Sequence, residues 1–208
     1  MTIMLRKIGI KILLVCIPIF IIIALFIDGE GNPVLKQIKE DKAIFQKYVS
    51  KDNKEMIQRY IESEADKTGP VSHNKGSSIL LLWGGNKNNG LSINNMYQYR
   101  DREFNDAMKS LGFEIVNPTD PPSSIILVYR NGTKVREYGS QKIIGYRNDK
   151  HFVYFDLEND QIVNLGSVEG QALPETIIQR SKSNVTTYFG DEASNIDQMN
   201  FLRTMLRN

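Results

Sequence analysis

The sequence predicts an α+β domain carried behind a membrane anchor, and three observations support that expectation. Residues 8–27 form one apolar run, residues 32–68 repeat apolar side chains at three-and-four spacing, and from Ser78 onward short β-branched and aromatic segments alternate with turn residues. Helices set apart from strands in this way point to helices packed against a mostly antiparallel sheet, here a meander.

The apolar run reads "IGIKILLVCIPIFIIIALFI", with Lys11 as its single charge. At 1.5 Å rise per residue it is long enough to cross a hydrocarbon core of roughly 30 Å. Arg6, Lys7 and Lys11 lie at one end and Asp28 and Glu30 at the other, so the positive-inside rule places the N-terminus in the cytoplasm. The expected order is a cytoplasmic end at 1–7, a single-pass transmembrane anchor at 8–27, a helical stalk at 28–68 and an extracytoplasmic α+β domain at 69–208. A cleaved signal peptide needs small residues at its cleavage site, and Leu25, Phe26 and Ile27 do not supply them. The only cysteine, Cys16, lies within the run, so the domain outside has no disulfide and depends on its core.

The formal net charge is +2, with 26 Lys and Arg against 24 Asp and Glu. Three of those 26 cations belong to the anchor region, so the rest of the chain is close to neutral. A near-neutral domain has no dense basic face from which nucleic acid could release counterions, and nucleic acid is excluded as a partner.

Asn32-Pro33 predicts a helix start, with Asn as N-cap and Pro at the first helical position. Val34, Leu35, Ile38, Phe45, Tyr48 and Val49 then share a face. Asp52 followed by Glu55 predicts a restart, and Met56, Ile57, Tyr60 and Ile61 continue the stripe to Thr68-Gly69-Pro70. That stripe suits a core face laid on the sheet; a homodimer through the stalk is the second option. "SSILLLW" from Ser77 predicts a buried strand. "MYQYRDREFNDAMKSLG" predicts a helix with Tyr97, Phe104, Met108 and Leu111 on one face, closed by Gly112, and "FEIV" a following strand. Beyond a proline-rich link, "IILVY", an Asn131-Gly132 turn, "KVREYG", "KIIGY", "HFVYFDL", a turn at 158–160 and "QIVNLGSV" predict the meander. Asp191 is the expected cap of a last helix presenting Ile196, Met199, Leu202 and Leu206.

The loop "WGGNKNNG" after the first long strand sits where phosphate-binding loops sit. Gly85 and Gly90 have the first spacing of G-x-x-x-x-G-K-[ST], but Leu91-Ser92 stands where Lys and the hydroxyl should be. "SHNK", "SIN" and "KTG" have the form of penicillin-binding serine motifs, yet they occur in the wrong order within a short stretch. Cysteine chemistry fails because Cys16 is in the anchor, and two histidines, His73 in a polar turn and His151 at a strand start, cannot build a zinc site. No metal and no cofactor are expected.

These observations lead to a membrane-anchored extracytoplasmic binding or assembly protein without catalytic activity, an accessory subunit of an envelope or secretion complex. Its expected partners are the membrane, through residues 8–27, and other envelope proteins or cell-wall glycan. The sequence favours a non-enzyme without deciding the matter. The alternative is an anchored cell-wall hydrolase using a carboxylate pair drawn from Asp101, Glu103 and Asp106. For either, the candidate ligand-binding residues are Trp83, Asn86, Asn88, Asn89, Tyr97 and Tyr99, on and beside the loop.

Overall fold

The computed structural model describes residues 32–63, 65–138, 143–176 and 187–207. The expected anchor at 8–27 lies outside the described residues. Among those described, no helix is long and apolar enough to cross a membrane. The chain divides into two units, residues 1–43 and 44–208.

Helix α1 (Pro33–Tyr48) opens as the sequence predicts, with the Val34 N–H donating to Asn32 Oδ1 at 2.9 Å and Pro33 in the first position. Val34 and Leu35 are exposed, whereas Phe45 and Val49 are buried. Helix α2 (Lys51–Ser63) begins slightly before the expected site. The Asn53 N–H donates to Ser50 Oγ at 3.2 Å, so Ser50 and not Asp52 caps it. The helix also stops at Ser63, well short of Gly69. Asp66 exchanges bonds with Ile162, giving its N–H to the Ile162 carbonyl and taking the Ile162 N–H on its carboxylate, and this draws Lys67–Thr68 into a strand, β1.

The remaining elements are β2 (Val71–Ser72), β3 (Ser78–Asn86), β4 (Tyr97–Gln98), α3 (Arg102–Ser110), β5 (Glu114–Ile115), β6 (Ser124–Tyr138), β7 (Ile143–Asp156), β8 (Gln161–Val168), β9 (Thr187–Glu192), α4 (Asn195–Met205) and β10 (Leu206–Arg207). One sheet runs β1-β8-β7-β6-β3-β4, with β5 also on β3 and β9 also on β7, and β10 pairs separately with β2. The β6-β7-β8 meander is antiparallel, as expected, while β3 joins β6 in parallel. The fold is therefore α+β, with a mostly antiparallel sheet packed against helices.

Its centre is apolar on both faces because strand side chains alternate. Ile79, Leu81, Trp83, Ile126, Val128, Phe152 and Tyr154 meet Phe104 and Met108 of α3 and Leu202 of α4. Leu80, Leu82, Ile125, Leu127, Val153 and Phe155 meet Phe45, Met56, Ile57 and Tyr60. Phe45, Val49, Met56, Ile57 and Tyr60 of the expected stripe are thus core, whereas Tyr48 is exposed.

Three expectations fail for tertiary reasons. Asn131-Gly132 makes no turn: it lies inside β6, with Asn131 opposite Asp149 and Gly132 opposite Asn148, and the two segments on each side fuse into single long strands. Tyr97 is not helical, because Tyr97 and Gln98 pair with Trp83 and Leu82; helix α3 starts only after Asp101, whose Oδ1 accepts the Phe104 N–H at 2.9 Å. Its end is as expected: Gly112 takes φ 91°, and the Phe113 and Gly112 N–H groups reach back to the Met108 and Lys109 carbonyls. Asp191 belongs to β9 and accepts the Gln171 N–H on its carbonyl, leaving Ser194 to cap α4. The buried face of that helix is rotated accordingly, with Ile196 70% exposed and Gln198 buried.

Removing core volume on the α2 side should be costly. Phe45→Ala and Ile57→Ala should each lower unfolding free energy by about 2–5 kcal/mol, whereas Val34→Ala should change it by no more than about 0.5 kcal/mol. Chemical denaturation of the three variants checks this contrast.

Candidate functional site

Two adjacent cross-strand pairs of the β6-β7 ladder organise the polar end of the sheet. Tyr129 lies opposite His151, and Arg130 lies opposite Lys150. Successive side chains leave a strand on opposite faces. The aromatic pair therefore points to the α2 side and the cationic pair to the α3-α4 side.

Like charges directly opposite each other repel. Glu192, at the end of β9, answers both: its Oε1 accepts from Arg130 at 2.5 Å and its Oε2 from Lys150 at 2.9 Å. Lys150 is 5% exposed and also donates to Tyr99 Oη and Gln198 Oε1, each at 3.2 Å. Burial works against the Lys150 charge, but the bond to Glu192, aided by Tyr99, outweighs it and holds the ammonium above its ordinary value. Burial pushes the Tyr99 phenol up, with Lys150 opposing. Trp83 stacks on Tyr99 at 5.5 Å, and the Arg130 guanidinium sits 5.1 Å from the Trp83 ring. The cluster, buried at Lys150 and Gln198 and open to solvent at Arg130, ties β9 and α4 to the sheet.

On the other face lies an open cleft of about 580 Å³. His151 stacks on Tyr129 with ring centroids 5.1 Å apart and 8° between planes, and the Tyr129 and Tyr60 hydroxyls are 2.8 Å apart. The walls come from Glu62 of α2, Thr68 of β1, Asn164 of β8, and Lys87, Gly90 and Leu91 of the glycine-rich loop. Among the described residues no hydrogen bond engages the His151 ring. Burial, together with the Lys87 charge, lowers its pKa although Asp149 acts the other way.

The loop is fixed rather than loose. The Asn88 N–H donates to Asn86 Oδ1 at 2.9 Å, and Gly90, at φ 81°, returns its N–H to the Lys87 carbonyl. The Asn88 side-chain amide bridges to β6, accepting the Gly132 N–H at 3.3 Å and donating to the Gly132 carbonyl at 3.4 Å. A Cβ on Gly132 would lie 2.5 Å from Asn88 Nδ2. Any side chain there would have to push the Asn88 amide aside, so this glycine serves the close approach of the loop and not a turn.

The expected site residues consequently separate. Asn86 and Asn88 hold the loop, Asn89 is exposed at its tip, and Trp83 and Tyr99 are in the cation-aromatic cluster on the opposite face. Tyr97 pairs with Trp83 in β4 and is half-buried beside that same cluster. Lys87, Gly132, Arg130, Lys150, His151 and Glu192 were not anticipated. Their signal lay in the alternation of Tyr129-Arg130 against Lys150-His151, which becomes informative only when the two segments are known to pair. Asp101 is engaged as the α3 cap, Glu103 accepts from Asn195, and Asp106 sits in an exposed pair with Arg102 at 4.0 Å. None of the three lines the cleft. His73 is not simply solvated: its ring stacks on Phe113 at 3.8 Å, and its buried Nε2 has no partner among the described residues. No group of three or more His, Cys, Asp or Glu that could hold a metal ion occurs among the described residues. The chain matches no protein-family model, no curated protein and no solved structure.

Glu192→Gln leaves two cations facing each other with no carboxylate between them, and should cost about 3 kcal/mol; Lys150→Met in that background should recover part of the loss. Urea denaturation of the two variants measures both. A second expectation concerns pH. His73 and His151 both have folded pKa values below the ordinary 6.5. The unfolded chain thus binds more protons between those values and 6.5, and stability should fall as pH drops through that window. Asp149, held below its ordinary 3.8 by Arg147, Thr133 and Gly170 against the cost of burial, adds a separate loss only at more acidic pH. Thermal melts of the wild type from pH 8 to 5, with His151→Gln and His73→Gln each flattening the slope, check the assignment.

Proposed function

We propose that this chain is a single-pass membrane-anchored binding or assembly protein, its domain lying outside the cytoplasm and recognising its ligand or partner at the cleft beside the glycine-rich loop. The observation that carries this proposal is the held loop: a connection secured by Asn86, Asn88 and Gly132 gives the cleft a preorganised wall in front of a half-buried histidine with no hydrogen-bond partner among the described residues. Preorganised loops on a rigid sheet are common recognition surfaces, since little ordering entropy is lost on binding. The apolar run at 8–27 with its charge asymmetry supports the anchor and its direction.

The test uses the full-length chain in its native membrane. A photoreactive group at Leu91 should give a discrete adduct, one at Lys109 on α3 should give none, and alkaline washing should leave the protein in the membrane. Equal labelling from both positions, release by alkali, or liberation of cell-wall fragments by the purified protein would each refute the proposal.

A further inference from the structure

We propose that the cleft takes an anionic group, a carboxylate or a phosphate, seated between Lys87 and His151, and that its binding is coupled to proton uptake by His151. This rests on the cleft being the binding surface.

Several acceptors in and beside the cleft are already engaged. Glu62 accepts from Gln58 on Oε1 at 2.7 Å, on the exposed side of α2, and keeps its charge at the rim. Asp149, the other carboxylate near His151, is consumed by Arg147 at 2.7 and 3.1 Å, by the Thr133 hydroxyl at 2.7 Å and by the Gly170 N–H at 3.0 Å. Asn164 spends its side-chain oxygen on the Gly166 N–H at 2.9 Å, which leaves its amide NH₂ to donate. What stays uncommitted among the described lining side chains is weighted to donors, the Lys87 ammonium, the Asn164 amide, the Thr68 hydroxyl and the imidazole of His151, against one carboxylate oxygen of Glu62 at the rim. A set of convergent donors with a cation beside it is complementary to an anion.

The groups facing His151 are Lys87 from the loop, Asp149 from its own strand, Tyr129 from β6 beneath it, and Glu62 from α2 at the rim. In the empty cleft, burial and Lys87 both disfavour the imidazolium. An anion between the two cations reverses that balance, because it offsets the repulsion and supplies an acceptor for the ring N–H. Linkage then makes anion affinity rise as pH falls toward the histidine's pKa. The backbone that carries Lys87 is fixed by its turn to Gly90 and by the neighbouring Asn88 clasp on Gly132.

The chain has only two histidines, so their imidazole resonances are directly separable, and His73, stacked on Phe113, is an internal control. The experiment titrates the full-length protein in detergent with acetate, with inorganic phosphate and with a neutral methyl pyranoside, following both histidines by NMR. Anions at about 10 mM should saturate a site with a Kd near 1 mM. At least one of the two anions should raise the His151 pKa by about one unit, a tenfold coupling, and leave His73 unmoved. Lys87→Gln, at an exposed position that leaves folding intact, should weaken that anion about tenfold. Whichever anion acts identifies carboxylate or phosphate as the ligand chemistry. An unmoved His151 with both anions, or equal movement of His73, overturns the proposal. Displacement by the pyranoside alone also overturns it, while leaving the cleft standing as the binding surface.

Discussion

The antiparallel ladder between β6 and β7 is the constraint on which the rest of the molecule depends. It supplies the innermost apolar residues of both faces, it carries β3 on one side and β8 and β9 on the other, and its polar end presents Tyr129-His151 one way and Arg130-Lys150 the other. Because the side-chain period of a strand is two, that division is a matter of register alone: a slip of one residue would bury His151 among the phenylalanines of the opposite face. Glu192 protects the register in a specific way. It stabilises the one alignment in which the two cations lie side by side, and gives β9 a defined place on the edge of β7.

Much of the architecture was legible because burial leaves a strong trace in composition. The runs at 79–83, 125–129 and 152–155 are apolar without alternation, which is the mark of strands covered on both sides, and all are buried. Asn32-Pro33 and Gly112 are local devices whose chemistry does not depend on distant residues, and both behave as read. The cap of α2 moved only locally, from Asp52 to Ser50, but the larger failures share one cause, a distant partner outbidding a local preference. Asn131-Gly132 has the strongest short-range turn signal in the chain, yet pairing continues straight through it. Asp191 is a good cap residue, but it is taken into β9, where its carbonyl receives the Gln171 N–H.

The site was less legible than the fold for a related reason. Proximity along the chain suggested that Trp83, Tyr97 and Tyr99 would serve the loop that they flank. Trp83 instead shares its face of β3 with Ile79 and Leu81, away from the cleft, and meets Arg130 and Lys150 there. The residues that do meet the loop, Tyr129, Gly132 and His151, are far from it in sequence. No single-chain pattern links Asn88 to Gly132, since neither a side-chain amide nor a strand glycine is informative alone.

The ladder has a single irregularity, between Lys134 and Arg136, where Val135 is the extra residue on β6 and is largely exposed. It lies distal to both functional pairs. Bulges absorb length changes by bending the strand locally. The arm beyond Val135, from Arg136 to Tyr138 with Ile143 and Ile144 opposite, is consequently decoupled in phase from the cleft. A residue gained or lost in β6 beyond Val135 would not exchange the faces on which the cations and the histidine stand, whereas a one-residue change between Ser124 and Gly132 would exchange them at once.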